Sequence, residues 1–149
     1  MRVVGVDLGE RRIGVAVSDG TGTLASPRCT IERRPDGRGG HAEHWRAVAA
    51  VVDEVEAGRV VVGLPLSLNG RRGPAARAAQ ADADELAQAL SSRGVTVETF
   101  DERLTTVSAA RALADGGKRG RDRRTRIDAA AAAVLLQAWL DTHPGGGDA

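Results

Sequence analysis

The chain has 149 residues, 42% of them apolar and 28% charged, with a formal net charge of +1. That length buries one good core and suits a single domain, and the near-neutral balance excludes a global field that would draw in polyanions. A single cysteine excludes an internal disulfide framework.

The first residues, "MRVVGVDLGERRIGVAVSD", open as an apolar strand rather than as a charged leader, and no apolar run approaches the ~18 residues of a membrane span. With the lone cysteine, this predicts a cytoplasmic protein without membrane contact. Only one of the 21 basic residues is lysine. Base composition alone produces such a bias, so scattered arginines carry little weight.

In chain order, Arg2 to Leu8 reads as a buried strand, and a tight turn over Gly9 to Arg12 returns it through Ile13 to Ser18 as a hairpin. Leu24 to Ile31 suits an edge strand because Pro27 cannot donate to a ladder. "RRPDGRGG" is a loop. From His41 to Ala57 the spacing of Trp45, Val48, Val52 and Val55 predicts a helix, with Gly58 as its stop. "RVVVGL" (59–64) is a fully apolar strand, and the Gly- and Pro-rich loop "PLSLNGRRGP" follows. Pro74 starts a helix running to about Arg93, and Gly94 ends it. Val95 to Phe100 is the last strand. Leu104 to Ala114 is helical, residues 118–126 form a basic loop, and Ile127 to Leu140 is an apolar helix. The domain is expected to span 1–142, with 143–149 a disordered tail. Three meandering strands followed by alternating helices and strands predict an α/β fold: a mixed five-stranded sheet, antiparallel then parallel, flanked by helices.

An acid in the first strand demands a reason. Asp7 ends that strand, Glu102 follows the last strand in "TFDERLTT", and Asp128 is read as opening the C-terminal helix. Ligands in open α/β sheets bind beyond the carboxyl ends of the strands, where this topology brings all three acids. At ~5 Å and an effective dielectric of about 20, each pair of carboxylates repels by on the order of 3 kcal/mol. A proton or a cation has to compensate such a cluster. Hard oxygen donors suit Mg²⁺ or Mn²⁺, and two ions roughly 3.5–4 Å apart can activate water against a phosphodiester. In this reading the rigid strand fixes Asp7, and Gly9 leaves the turn open to a substrate backbone. Each acid also has a plainer role: Asp7 as a turn former, Glu102 and Asp128 as first-turn carboxylates that favour a helix dipole. The sequence alone leaves these alternatives open.

The stretch "KRGRDRRTR" offers Lys118, Arg119, Arg121, Arg123, Arg124 and Arg126 as phosphate contacts next to Asp128, against the reading of a solvated charge run. In "GLPLSLNGRRGP", backbone amides with Arg71 and Arg72 suit a phosphate, although an ordinary strand-to-helix loop looks the same. Arg12 and Arg103 adjoin Asp7 and Glu102 as phosphate ligands or as salt-bridge partners of the acids. His41, His44 and His143 form no metal set, and His41 and His44 read as surface, whereas Trp45 and Trp139 read as core.

Four blocks, "GVDLGERRIGVAVSD", "VVVGLPLSLNGRRGP", "FDERLTT" and "IDAAAAAVLLQAWL", resemble in order those of the YqgF/RuvX family and together span residues 2–141. The family is known both as Holliday junction resolvases and as pre-16S ribosomal RNA nucleases. The resemblance implies a ribonuclease H-like fold and a cytoplasmic nuclease that processes the 5′ end of 16S rRNA. It also implies that Asp7, Glu102 and Asp128 bind divalent metal. The implied partner is structured RNA, or branched DNA in the resolvase alternative. Symmetric cutting of a junction needs a homodimer, whereas trimming one RNA end needs only a monomer. A third reading on the same fold is a silent RNA-binding assembly module. A sugar-kinase-like phosphotransferase also begins with a strand ending in Asp-x-Gly, but it needs two such domains.

Overall fold

The computed structural model describes residues 1–9, 11–33, 43–65, 73–101 and 121–147. Five strands, β1 (Val3–Leu8), β2 (Arg12–Ser18), β3 (Ala25–Glu32), β4 (Arg59–Leu64) and β5 (Thr96–Asp101), form one sheet in the order β3-β2-β1-β4-β5. β1 pairs antiparallel with β2 and parallel with β4, β2 pairs antiparallel with β3, and β4 pairs parallel with β5. The mixed sheet read from the sequence is the one that forms. The apolar runs of β1 and β4 are central because both of their faces are covered. Pro27 lies on the edge strand, opposite Ala16 at the register shift between Val15 and Ala16, a position that suits a residue without an N–H.

Helices α1 (Glu43–Val55) and α2 (Pro74–Ala89) cover one face, where Val4, Val6, Ile13, Val15, Val60 and Val62 pack with Trp45, Val48, Val52, Leu86 and Leu90. Helix α3 (Arg121–Thr142) covers the other, packing Ala132, Leu136, Trp139 and Leu140 on Val3, Ala16 and Val61. Both tryptophans are fully buried, as their spacing predicts. Among the described residues no helix is long and apolar enough to cross a membrane.

Several boundaries differ from the sequence reading. α1 ends before Gly58: Glu56 takes the left-handed conformation (φ 55°), and the Ala57 N–H bonds Val52 O at 3.0 Å. Gly94 is left-handed (φ 67°) after a short 3₁₀ turn over Ser91–Arg93, so it ends that turn rather than α2 itself. The expected helix over Leu104–Ala114 lies outside the described residues. The basic stretch is helix, not loop, from Arg121 onward. Between Gly120 and Pro144 nothing breaks a helix, and arginine and alanine both favour one. The tail, expected to be disordered, carries one helical turn over Pro144–Gly147.

His44 is buried, not on the surface; it is 6% exposed and meets Trp45 edge-on at 4.3 Å. Among the described residues no hydrogen-bond partner reaches its Nδ1. Burial first, and then the Arg33 charge, hold its pKa below the ordinary 6.5, against the opposing pull of Asp82 and Glu85. The folded state thus binds fewer protons at His44 than the unfolded chain does. Stability is present in full above pH 6.5 and declines as pH falls below it. Urea midpoints at pH 7 and pH 5 should therefore fall further for the native chain than for His44→Phe.

Candidate active site

The parallel pairings put the carboxyl ends of β1, β4 and β5 at one edge of the sheet, with Leu64 opposite Asp101. Asp7, the last but one residue of β1, is only 4% exposed there. An ionised carboxylate tolerates such burial only with compensating partners, and Asp7 does have an interaction partner.

Its face follows from strand alternation. Val3 packs under α3, and a Cβ at Gly5 would lie 2.8 Å from the Cβ of Leu136 on α3. Asp7 therefore points to the α3 side of the sheet. Its cross-strand partner on β2 is Gly14, and such partners share a face. α3 crosses at this point. A Cβ at Gly14 would fall inside the Asp128 carbonyl group, 2.5 Å from its carbon. The backbone of residue 128 thus lies directly on Gly14, beside Asp7. The Asp128 side chain is fixed by Arg12, whose Nε donates to Oδ2 at 2.9 Å. Residues 116 apart in sequence are joined by this ion pair.

Asp128 and its partner Arg12 thus lie beside the Asp7–Gly14 pair. Asp128 does not open its helix, however; it is the eighth residue of α3. The helix-dipole role proposed for its first turn does not apply. Gly9 also has a different reason from the one its sequence suggests. A Cβ there would meet Arg12 O at 2.7 Å, so the turn itself requires glycine, and the Gly9 N–H bonds that same oxygen at 2.9 Å.

Glu102, Arg103, Arg71, Arg72, Lys118 and Arg119 lie outside the described residues. Arg121, Arg123, Arg124 and Arg126 fall in the first turns of α3. Among the described residues no group of three or more His, Cys, Asp or Glu side chains is placed to hold a metal. Of the three acids singled out in the sequence, Asp7 and Asp128 are among the described residues and Glu102 is not. Gly14 escapes a motif-based reading, yet it carries a signal: glycine inside a strand weakens it unless another backbone comes close.

Known proteins resemble this chain in sequence and in fold. The family model described as RuvX, Holliday junction resolvase, matches residues 1–142. A protein of Anaeromyxobacter dehalogenans is 48% identical over 141 residues, 95% of this chain and 97% of its own length. One of Myxococcus xanthus is 48% identical over 143 residues, 96% of this chain and 89% of its own. Both bear the name "Putative pre-16S rRNA nuclease". Among solved structures, Thermus thermophilus RuvC superposes with a TM-score of 0.58 at 16% identity, covering 95% of each chain. The same protein in complex with a Holliday junction substrate gives 0.58 at 19%, covering 98% of this chain and 97% of that one. At such identities the likeness is one of fold, a ribonuclease H-like sheet flanked by helices. The chain thus belongs to the RuvX family, nucleases that hydrolyse phosphodiester bonds.

Proposed function

We propose that the chain is a divalent-metal-dependent endonuclease that processes the 5′ end of the 16S rRNA precursor in the cytoplasm. The observation that carries this reading is the placement of Asp128 over Gly14, in register with Asp7. Glu102 is assigned as the third acid, one residue beyond the end of β5. Three carboxylates of this kind fit Mg²⁺ or Mn²⁺, as a pair of ions, by the chemistry of their oxygens. When bound, such ions activate water and stabilise the leaving oxygen.

The chain's own residues do the rest. β1 holds the Asp7 carboxylate on a rigid central strand, so little reorganisation is needed on reaction. Arg12 orients the Asp128 carboxylate and keeps a cation at the mouth of the site, where a phosphate has to arrive. Arg71, Arg72, Arg103, Lys118, Arg119, Arg121, Arg123, Arg124 and Arg126 are assigned to the nucleic-acid backbone. Such contacts grip phosphate without reading sequence.

The family description favours a second reading, a resolvase of four-way DNA junctions acting as a homodimer. The test offers purified protein a 16S precursor and a synthetic junction, each with Mn²⁺ or Mg²⁺ and then with excess chelator. Scission near the precursor's 5′ end, lost on chelation, is the expected result. Activity that survives chelation removes the metal, and junction cleavage alone turns the assignment to the resolvase. Inertness towards both leaves an assembly module.

A further inference from the structure

Arg33 immediately follows β3 and carries none of the sequence motifs, yet it joins three parts of the molecule. Its backbone N–H continues the β2–β3 ladder to Arg11 O at 2.8 Å. Its side chain turns back over the β1–β2 turn. Nη1 donates to Gly9 O at 3.0 Å, and Nη2 donates to Asp82 Oδ1 and Oδ2, each at 3.0 Å. Its guanidinium lies 5.7 Å from the ring centroid of Trp45, which is fully buried and donates from Nε1 to Glu85 at 3.2 Å. The side chains of Arg33 and Asp82 are only 20% and 17% exposed.

The turn held in this way is the one that sets the site. Asp7 lies two residues before Gly9, Arg12 opens β2 at the turn's far end, and Arg12 fixes Asp128. Gly9 is held on both sides of its Cα, by Arg12 O on its N–H and by Arg33 on its carbonyl. The rigid guanidinium fork serves the backbone carbonyl with one arm and the carboxylate with the other in a fixed geometry, which the flexible, compact ammonium of lysine does not reproduce. The cation therefore works on the α1/α2 side of the sheet, away from the α3 side where the acids meet.

We propose that Arg33 is a positioning residue for the nuclease reaction: through Gly9 it clamps the β1–β2 turn onto α2, and so holds Asp7 and the Arg12–Asp128 pair in register. This rests on the assignment of Asp7 and Asp128 as catalytic acids. Positioning errors of an ångström cost on the order of 10²-fold in rate, with little effect on binding.

The test combines steady-state cleavage with amide hydrogen exchange on the full chain. For Arg33→Met, kcat should fall on the order of 10- to 100-fold, while KM stays within about twofold. Exchange in a peptide spanning residues 8–13 should quicken by about tenfold or more, while residues 59–64 remain protected. Arg33→Lys should not restore either value, and Asp82→Asn should shift both in the same direction by less. Raised KM at unchanged kcat would make Arg33 a substrate ligand and overturn the proposal. So would unaltered exchange in the turn. If the native protein cleaves nothing, the nuclease reading fails by itself, and the exchange measurement still decides whether Arg33 holds the turn.

Discussion

Replacing Gly14 with alanine should lower cleavage on the order of 10²-fold and reduce stability by about 1–3 kcal/mol. The added Cβ would occupy the Asp128 carbonyl, which is main chain and cannot rotate aside as a flexible side chain could. Either α3 lifts from the sheet or β2 sinks. Both responses separate Asp128 from Asp7, the residue paired with Gly14. Gly5→Ala is the control. Its Cβ would press on Leu136 Cβ at 2.8 Å and on Ala132 O at 3.3 Å, against the same helix but further from Asp128. It should cost comparable stability and spare much more of the rate. A second control, Gly20→Ala, meets no described atom within 4 Å and should change stability by less than about 0.5 kcal/mol. Urea midpoints and cleavage rates measured on all three variants decide the point. If Gly14→Ala and Gly5→Ala lose rate equally at equal stability, the close approach of α3 serves packing alone and does not set the site.

The architecture was readable because its signals are local. β1 and β4 are apolar on both faces, the first between Arg2 and Gly9 and the second between Gly58 and Pro65, so their extent and central position follow from the pattern. Asp7 was readable for the opposite reason: a carboxylate in such a strand is costly and must be compensated. What the pattern hid depends on residues far apart in the chain. Nothing near Gly14 tells of a helix arriving from residue 128, and nothing near Arg33 tells of Asp82. His44 looks like a surface residue beside Glu43, but the packing of α1 turns it inward next to Trp45. The start of α3 is not legible in the sequence because a run of arginines resembles a solvated loop. Arginine is nonetheless a good helix former, and the alanines that follow extend the same helix without interruption. Asp128 thereby moves from a helix end, where a dipole could explain it, to a helix interior lying on the sheet. There the plainer explanation loses its basis.

Asp7→Asn should abolish cleavage while leaving the molecule folded. The substitution keeps the shape of the side chain and removes its charge. A buried amide costs no more to desolvate than a buried carboxylate, so the thermal midpoint should stay within a few degrees of native. The rate is another matter. If Asp7 anchors divalent ions, its loss removes several kcal/mol of transition-state stabilisation, and about 4 kcal/mol corresponds to a fall on the order of 10³-fold. Affinity for Mn²⁺, followed by calorimetry without any nucleic acid, should weaken in the same variant. Asp7→Glu separates charge from geometry. It restores the carboxylate but pushes it one methylene further from a strand that cannot yield, and β1 is buried almost throughout. Glutamate should therefore recover part of the metal affinity and little of the rate. If Asp7→Asn kept more than a tenth of native cleavage, the reacting phosphate could not lie at the end of β1. The pairing of Asp7 with Gly14 would then be a feature of the fold and not of the chemistry.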